Sequence, residues 1–136
     1  MADYGIVVEH FAERHFIKSF KRKHRGAWEV TWTGIEEMFR RFDSLLETSA
    51  AETIIDSATQ GDGMNRVRIC KTEFRIVGTK ESRHASGNRC IVALHDDTRV
   101  VHVLLVYGKT DLGNGNETAQ WKQIVKTNYP EYRKLF

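Results

Sequence analysis

The period of the apolar positions changes twice along the chain. In "YGIVVE", residues 4–9, β-branched side chains stand together and give way to a polar switch at His10, which predicts a first strand. Beyond it Phe16, Ile17 and Phe20 share one helical face while Lys18, Lys21 and Arg22 surround the rest, so the pattern predicts an amphipathic helix with a basic outer surface. "HRGA" at 24–27 breaks it. Trp28, Trp32, Ile35, Phe39, Phe42 and Leu46 then recur at steps of four and three, the spacing of one continuous apolar stripe on a second helix. The two helices are expected to form a hairpin. Gly34 within the stripe costs about 1 kcal/mol of helix propensity relative to alanine, which points to close contact with another backbone.

After a loop at 57–65 the period falls to two. "RVRIC" at 66–70, "EFRIV" at 73–77, "CIVALH" at 90–95 and "RVVHVLLVY" at 99–107 predict strands, and "HDDT" at 95–98 predicts a hairpin turn because aspartates there bond their own backbone. "NETAQWKQIVKT" at 116–127 offers a capping asparagine and an apolar face of Trp121, Ile124 and Val125, with Pro130 as the stop. The order strand, helices, strands, helix predicts an α+β domain: an antiparallel sheet of about four or five strands, packed on an N-terminal helical hairpin, with a C-terminal helix. The other sheet face is expected to be partly open.

With 136 residues, 40% apolar and 29% charged, the chain fits one domain spanning 1–136. The net charge of +3 is too small to imply a polyanionic partner, but its distribution matters more. Arg14, Lys18, Lys21, Arg22, Lys23 and Arg25 crowd the first helix against the single Glu13, whereas the acids gather between Glu36 and Asp56. Cys70 and Cys90 lie in apolar runs and supply neither a disulfide framework nor a metal spacing, which fits reduced thiols and a cytoplasmic protein. No secretion signal or membrane span is expected, since the longest apolar run, 100–107, is short and carries His102.

Candidate chemistry is sparse. "GKT" at 108–110 lacks the glycine of a phosphate-binding loop, because Val103 occupies that place, and no dinucleotide or HExxH zinc motif is present. Trp28 and Trp32 are expected in the core, and His102 as a hydrogen-bonded core histidine. What stands out is a pair of cations: Arg89 before one apolar ladder and Lys109 after the next.

Those cations sit in a recognisable setting. Phe74-Arg75-Ile76, Ser86-Gly87-Asn88-Arg89 and Leu104-Leu105-Val106-Tyr107-Gly108-Lys109, followed by "ETAQWKQIV", resemble the RelE-like toxins of bacterial toxin–antitoxin pairs, in particular the RelE/HigB-like branch of the RelE/ParE superfamily. The likeness covers most of the chain in element order, with its motif content in residues 74–112. It implies a RelE-like fold and a ribosome-associated endoribonuclease, an mRNA interferase held inactive by a cognate antitoxin protein. Such an enzyme cleaves by attack of the ribose 2′-hydroxyl on the adjacent phosphorus, which needs no metal or cofactor but needs cations at the phosphorane and groups that move protons. By the same resemblance Arg89 and Arg75 would clamp phosphate oxygens, and Lys109 would stabilise the leaving oxygen or accept a proton. Where many such enzymes place an arginine after the lysine and a tyrosine farther on, this chain has Thr110 and "DLGNGN", and His84 would substitute as the proton carrier.

RNA contact falls to Lys18, Lys21, Arg22, Lys23 and Arg25 on the basic helix and to Lys80 and Arg83 in the long loop 78–88. Each cation also has a plain reading: Arg89 a solvated strand start, Arg75 an outward strand residue, Lys109 a charge blunting a sheet edge, His84 a solvated loop residue. Two alternatives accompany the enzyme. One is a catalytically inactive RelE-like module that binds RNA or antitoxin; the other is an interaction protein whose sheet edge accepts a partner strand.

Overall fold

The structure, a computed structural model, describes residues 3–60 and 66–136; part of the expected loop at 57–65 therefore lies outside the described residues. The chain runs β1 (Gly5–Val8), then a helical stretch of α1 (His10–Ala12), a π-helical turn (Glu13–Ile17) and α2 (Lys18–Lys23), then α3 (Ala27–Arg40) and α4 (Phe42–Glu47). It continues through β2 (Ala51–Asp56), β3 (Val67–Phe74), α5 (Arg83–Ser86), β4 (Asn88–His95), β5 (Val100–Tyr107) and α6 (Glu117–Asn128), and ends in a 3-10 segment (Pro130–Leu135).

One five-stranded sheet forms, in the order β1-β5-β4-β3-β2. The pairs β2–β3, β3–β4 and β4–β5 are antiparallel, but β1 runs parallel to β5, so the sheet is mixed rather than wholly antiparallel. The helices carry the chain from β1 to the far edge, and the four-strand meander brings it back beside β1 running the same way.

Side-chain alternation divides the core between the two faces. Cys70, Cys90, Val92, Leu94, Val101 and Val103 meet Ile17, Phe20, Trp28, Ile35, Phe39 and Phe42 of the helices on one face. Burying a side chain such as Ile35 or Phe39 stabilises the fold by about 1.5–3 kcal/mol. On the other face Ile69, Ile91, Ala93, Leu105 and Tyr107 meet Trp121, Val125, Tyr129 and Tyr132. The expected partly open face is thus covered, because the chain beyond Pro130 stays on the sheet and seats Tyr132 there. Asn116 caps α6 as its sequence implied, its Oδ1 accepting the Ala119 N–H at 3.0 Å.

The β4–β5 register shifts at Ile91/Val92, which leaves Leu104 without a cross-strand partner. Its carbonyl accepts the buried Tyr129 hydroxyl at 2.7 Å, so a bulge that would strand a polar group instead anchors the C-terminal segment. His102 is the hydrogen-bonded histidine its apolar setting suggested, with Nδ1 at 2.9 Å from Glu9 Oε1. Nearby, His95 Nε2 lies 2.8 Å from the Tyr132 hydroxyl, and the two imidazoles are 4.4 Å apart.

Burial, and next the neighbouring His102, hold the His95 imidazole below its usual range. A depressed folded pKa means that the unfolded chain binds the proton more readily. This contribution to stability is therefore complete above the ordinary imidazole pKa and is lost as pH falls below about 6.5. The expected result is a lower denaturant midpoint at pH 5.5 than at pH 7.5, with a smaller difference in His95→Gln. An equal difference in both proteins would remove His95 as the cause.

Candidate functional site

β3 ends, β4 begins and β5 ends at one margin of the sheet, where Phe74 pairs with Asn88 and Arg89 with Tyr107. The connection from β3 to β4 is fixed by short-range chemistry. Ser82 caps α5 by accepting the Ala85 N–H at 3.1 Å, and Gly87 ends that turn with φ of 74°, a left-handed conformation suited to glycine. The Ser86 hydroxyl lies 2.7 Å from the Phe74 carbonyl, fastening the loop to the strand it left.

Gly87 also lies against the segment after β5. A Cβ there would stand 2.6 Å from Lys109 Cβ and 3.1 Å from its Cα, so the glycine is what lets the two loops touch. Gly108 to Asp111 form a turn closed from both sides: the Asp111 N–H donates to the Gly108 carbonyl at 3.1 Å, and Asp111 Oδ2 accepts the Gly108 N–H at 2.7 Å. Lys109 is held at the first corner of that turn.

The end of α2 forms the opposite wall. Between the walls is a polar cleft of about 280 Å³ lined by Ser19, Phe20, Lys23 and His24 on one side and by Glu81, Ser86, Asn88 and residues 108–111 on the other. Three of these can carry positive charge: Lys23, His24 and Lys109. Among the described residues none of these three side chains has a hydrogen bond or ion pair, and neither has that of Glu81, whereas Asp111 is engaged by the turn. Such a cleft suits an anion that brings its own acceptors, with Ser86, Asn88 and Thr110 as neutral polar neighbours.

The other expected site residues are dispersed around this margin. Arg89 pairs with Tyr107, whose side chain belongs to the face covered by α6, and its own side chain is only 9% exposed. Its guanidinium donates to the Asn88 carbonyl at 2.9 Å and the His84 carbonyl at 3.2 Å, and its Nη2 lies 3.1 Å from Glu73 Oε2. It is therefore not the solvated residue of the plain reading, and a phosphate would have to displace all of these partners. His84 is on the same side, 87% exposed, with Nδ1 at 2.8 Å from Glu73 Oε2 and no place in the cleft. Arg75 follows β3 as an exposed residue between buried Phe74 and Ile76 and does not line the cleft.

Lys18, Arg22, Lys23 and Arg25 are exposed, as expected of a basic helix and its end, and Lys21 pairs with Glu13 at 2.9 Å. Lys80 and Arg83 are exposed in the long loop; Arg83 lines a separate hollow with Glu73 and His84. Of all the expected site residues, only Lys23 and Lys109 share the cleft. His24, Glu81 and Asp111 were missed. The one available signal was His24 standing a helical turn after Phe20 and beside Lys23, in a stretch that reads as a helix breaker.

Both thiols are buried and pushed up by desolvation, Cys70 to about 11, so neither is an active nucleophile near neutral pH. Among the described residues no three His, Cys, Asp or Glu side chains gather as a metal-ligand group, and no helix is long and apolar enough to cross a membrane. The fold and site define an α+β domain with a polar cleft at one end of its sheet, lined by two lysines, a histidine and two carboxylates. No protein-family model, curated protein or solved structure matches the chain.

Proposed function

We propose that this protein is the toxin of a toxin–antitoxin pair: a cytoplasmic, ribosome-associated mRNA endoribonuclease whose scissile phosphate enters the cleft beside Lys109. The observation that carries this reading is the meeting of the "SGNR" loop with the turn after "LLVY", Gly87 against Lys109, in a cleft that also holds Lys23 and His24. These are the two segments on which the resemblance to RelE-like toxins rests, and together they present Lys109, whose side chain makes no ion pair among the described residues, where an RNA phosphate would dock. The 2′-hydroxyl oxygen bonds to phosphorus as the P–O5′ bond breaks, and Lys109 offsets the charge that accumulates on the phosphorane oxygens.

The basic surface of α2 supplies salt-dependent attraction to ribosomal RNA. Lys18 and Arg22 stand one turn apart, exposed and without an ion pair among the described residues. Replacing both with glutamate is expected to weaken pelleting with ribosomes and to flatten its dependence on salt. Unchanged pelleting across salt concentrations would remove this face from the interface.

A specific observation favours the second reading, a non-cleaving RNA- or antitoxin-binding module. The arginine implied as a phosphate clamp is committed within the fold, and the residue after Lys109 is Thr110 rather than arginine. Wild-type protein that pellets with ribosomes and leaves the message intact would select that reading.

A further inference from the structure

We infer that His24 is the proton carrier of the cleft, taking the proton from the attacking ribose 2′-hydroxyl. The inference rests on the RNA-cleaving reading above and adds to it the group which the resemblance did not supply. Its first support is placement, since His24 lines the same cleft as Lys109, whereas His84, the histidine suggested by the sequence, lies outside it and holds Glu73. A second support is orientation. The His24 ring stacks on Phe20 at 6.2 Å and 27°, Phe20 on Trp28 at 5.0 Å and 24°, and Trp28 on Trp32 at 5.6 Å and 18°.

This column of rings runs out from the core, with Trp28 and Phe20 themselves buried, and ends on the imidazole. The ring contact restricts the imidazole before substrate arrives, so less freedom is lost on binding. The third support is that His24 is half-buried, yet neither ring nitrogen has a hydrogen-bond partner among the described residues. Both nitrogens are therefore free to meet an RNA hydroxyl in the cleft.

The groups facing His24 are Lys23 on its own helical end, Glu81 from the loop before α5, and Lys109 and Asp111 from the turn after β5. In the step, a neutral imidazole takes the 2′-hydroxyl proton, the O2′–P bond forms and the P–O5′ bond breaks. The leaving O5′ takes a proton from the Lys109 ammonium. The products are a 2′,3′-cyclic phosphate and a 5′-hydroxyl, and the His24 proton returns to Lys109 through water.

The test is single-turnover cleavage of a message on programmed ribosomes from pH 6 to 8.5, with wild type, His24→Gln, His24→Ala and His84→Gln. Loss of a general base costs about a hundred- to ten-thousandfold. His24→Gln is expected to show such a loss and to lose the acidic limb of the pH profile, while still pelleting with ribosomes programmed with 2′-deoxy-substituted message. His24→Ala is expected to regain rate with added imidazole, and His84→Gln to cleave like wild type. Wild-type rate and pH profile in His24→Gln would overturn the inference alone; a wild type that never cleaves would overturn the RNA-cleaving reading and the inference with it. Should the variants fail to fold, nuclear magnetic resonance of the wild type decides. Inorganic phosphate is expected to shift the imidazole resonances of His24 and leave those of His84 in place, and the reverse pattern would overturn the assignment.

Discussion

Lys109→Ala is expected to slow message cleavage about a hundred- to a thousandfold, the usual cost of removing one preorganised donor from a developing oxyanion, while the unfolding midpoint stays unchanged. The side chain is exposed, and among the described residues it has no hydrogen bond or ion pair to lose. The two hydrogen bonds of its turn, one of them to the Asp111 carboxylate, involve Gly108 and Asp111 and survive truncation. Because Gly87 packs against Lys109 Cα and Cβ, alanine preserves that contact and glycine would not. The comparison of single-turnover rates with thermal melts separates a functional loss from a structural one. Equal rates for both proteins would take Lys109 out of the chemistry.

Arg89→Ala is expected to act in the opposite way, destabilising the fold by about 2–4 kcal/mol. Truncation strips the Asn88 and His84 carbonyls of a charged donor and leaves Glu73 without its buried partner; Glu73 is one-third exposed, so water recovers part of the loss. Arg89→Lys recovers little, since an ammonium cannot reproduce a fork reaching several acceptors. Any loss of toxicity in Arg89→Ala should therefore track the fraction of folded protein. Denaturant titration beside growth assays checks this, and an unaltered midpoint with lost cleavage would return Arg89 to the phosphate.

The contrast between these two cations shows where the sequence stopped being readable. Both appear as bare charges beside apolar ladders, and both match the same resemblance. What parts them is pairing across the sheet. Arg89 lies opposite Glu73, and its acceptors belong to a loop whose path depends on Gly87; residue spacing carries no record of that.

Helices and turns set by local rules were legible: the stripe from Trp28, the hairpin at 95–98 and the Asn116 cap. The stripe nonetheless spans two helices, because the backbone breaks at Arg41 (φ −113°, ψ 46°) and α4 resumes in phase, which side-chain periodicity cannot register. β2 was missed for a related reason. Its register shifts between Thr53 and Ile55, so two isoleucines stand side by side and the alternation that marks a strand is lost. The segments expected at 66–70 and 73–77 are one strand, β3, that ends at Phe74 and leaves Arg75 beyond it. Gly34 was expected to touch another backbone; a Cβ there would meet nothing within 4 Å, and nothing in the structure explains the residue.

Whether the cleft beside Lys109 cuts translated RNA is decided by end-group mapping of a message on translating ribosomes. Breaks are expected within translated codons only when wild-type protein is added, each leaving a 2′,3′-cyclic phosphate upstream and a 5′-hydroxyl downstream. A message that stays whole beside ribosome-bound protein, or breaks that bear 5′-phosphates, would contradict cleavage by this route.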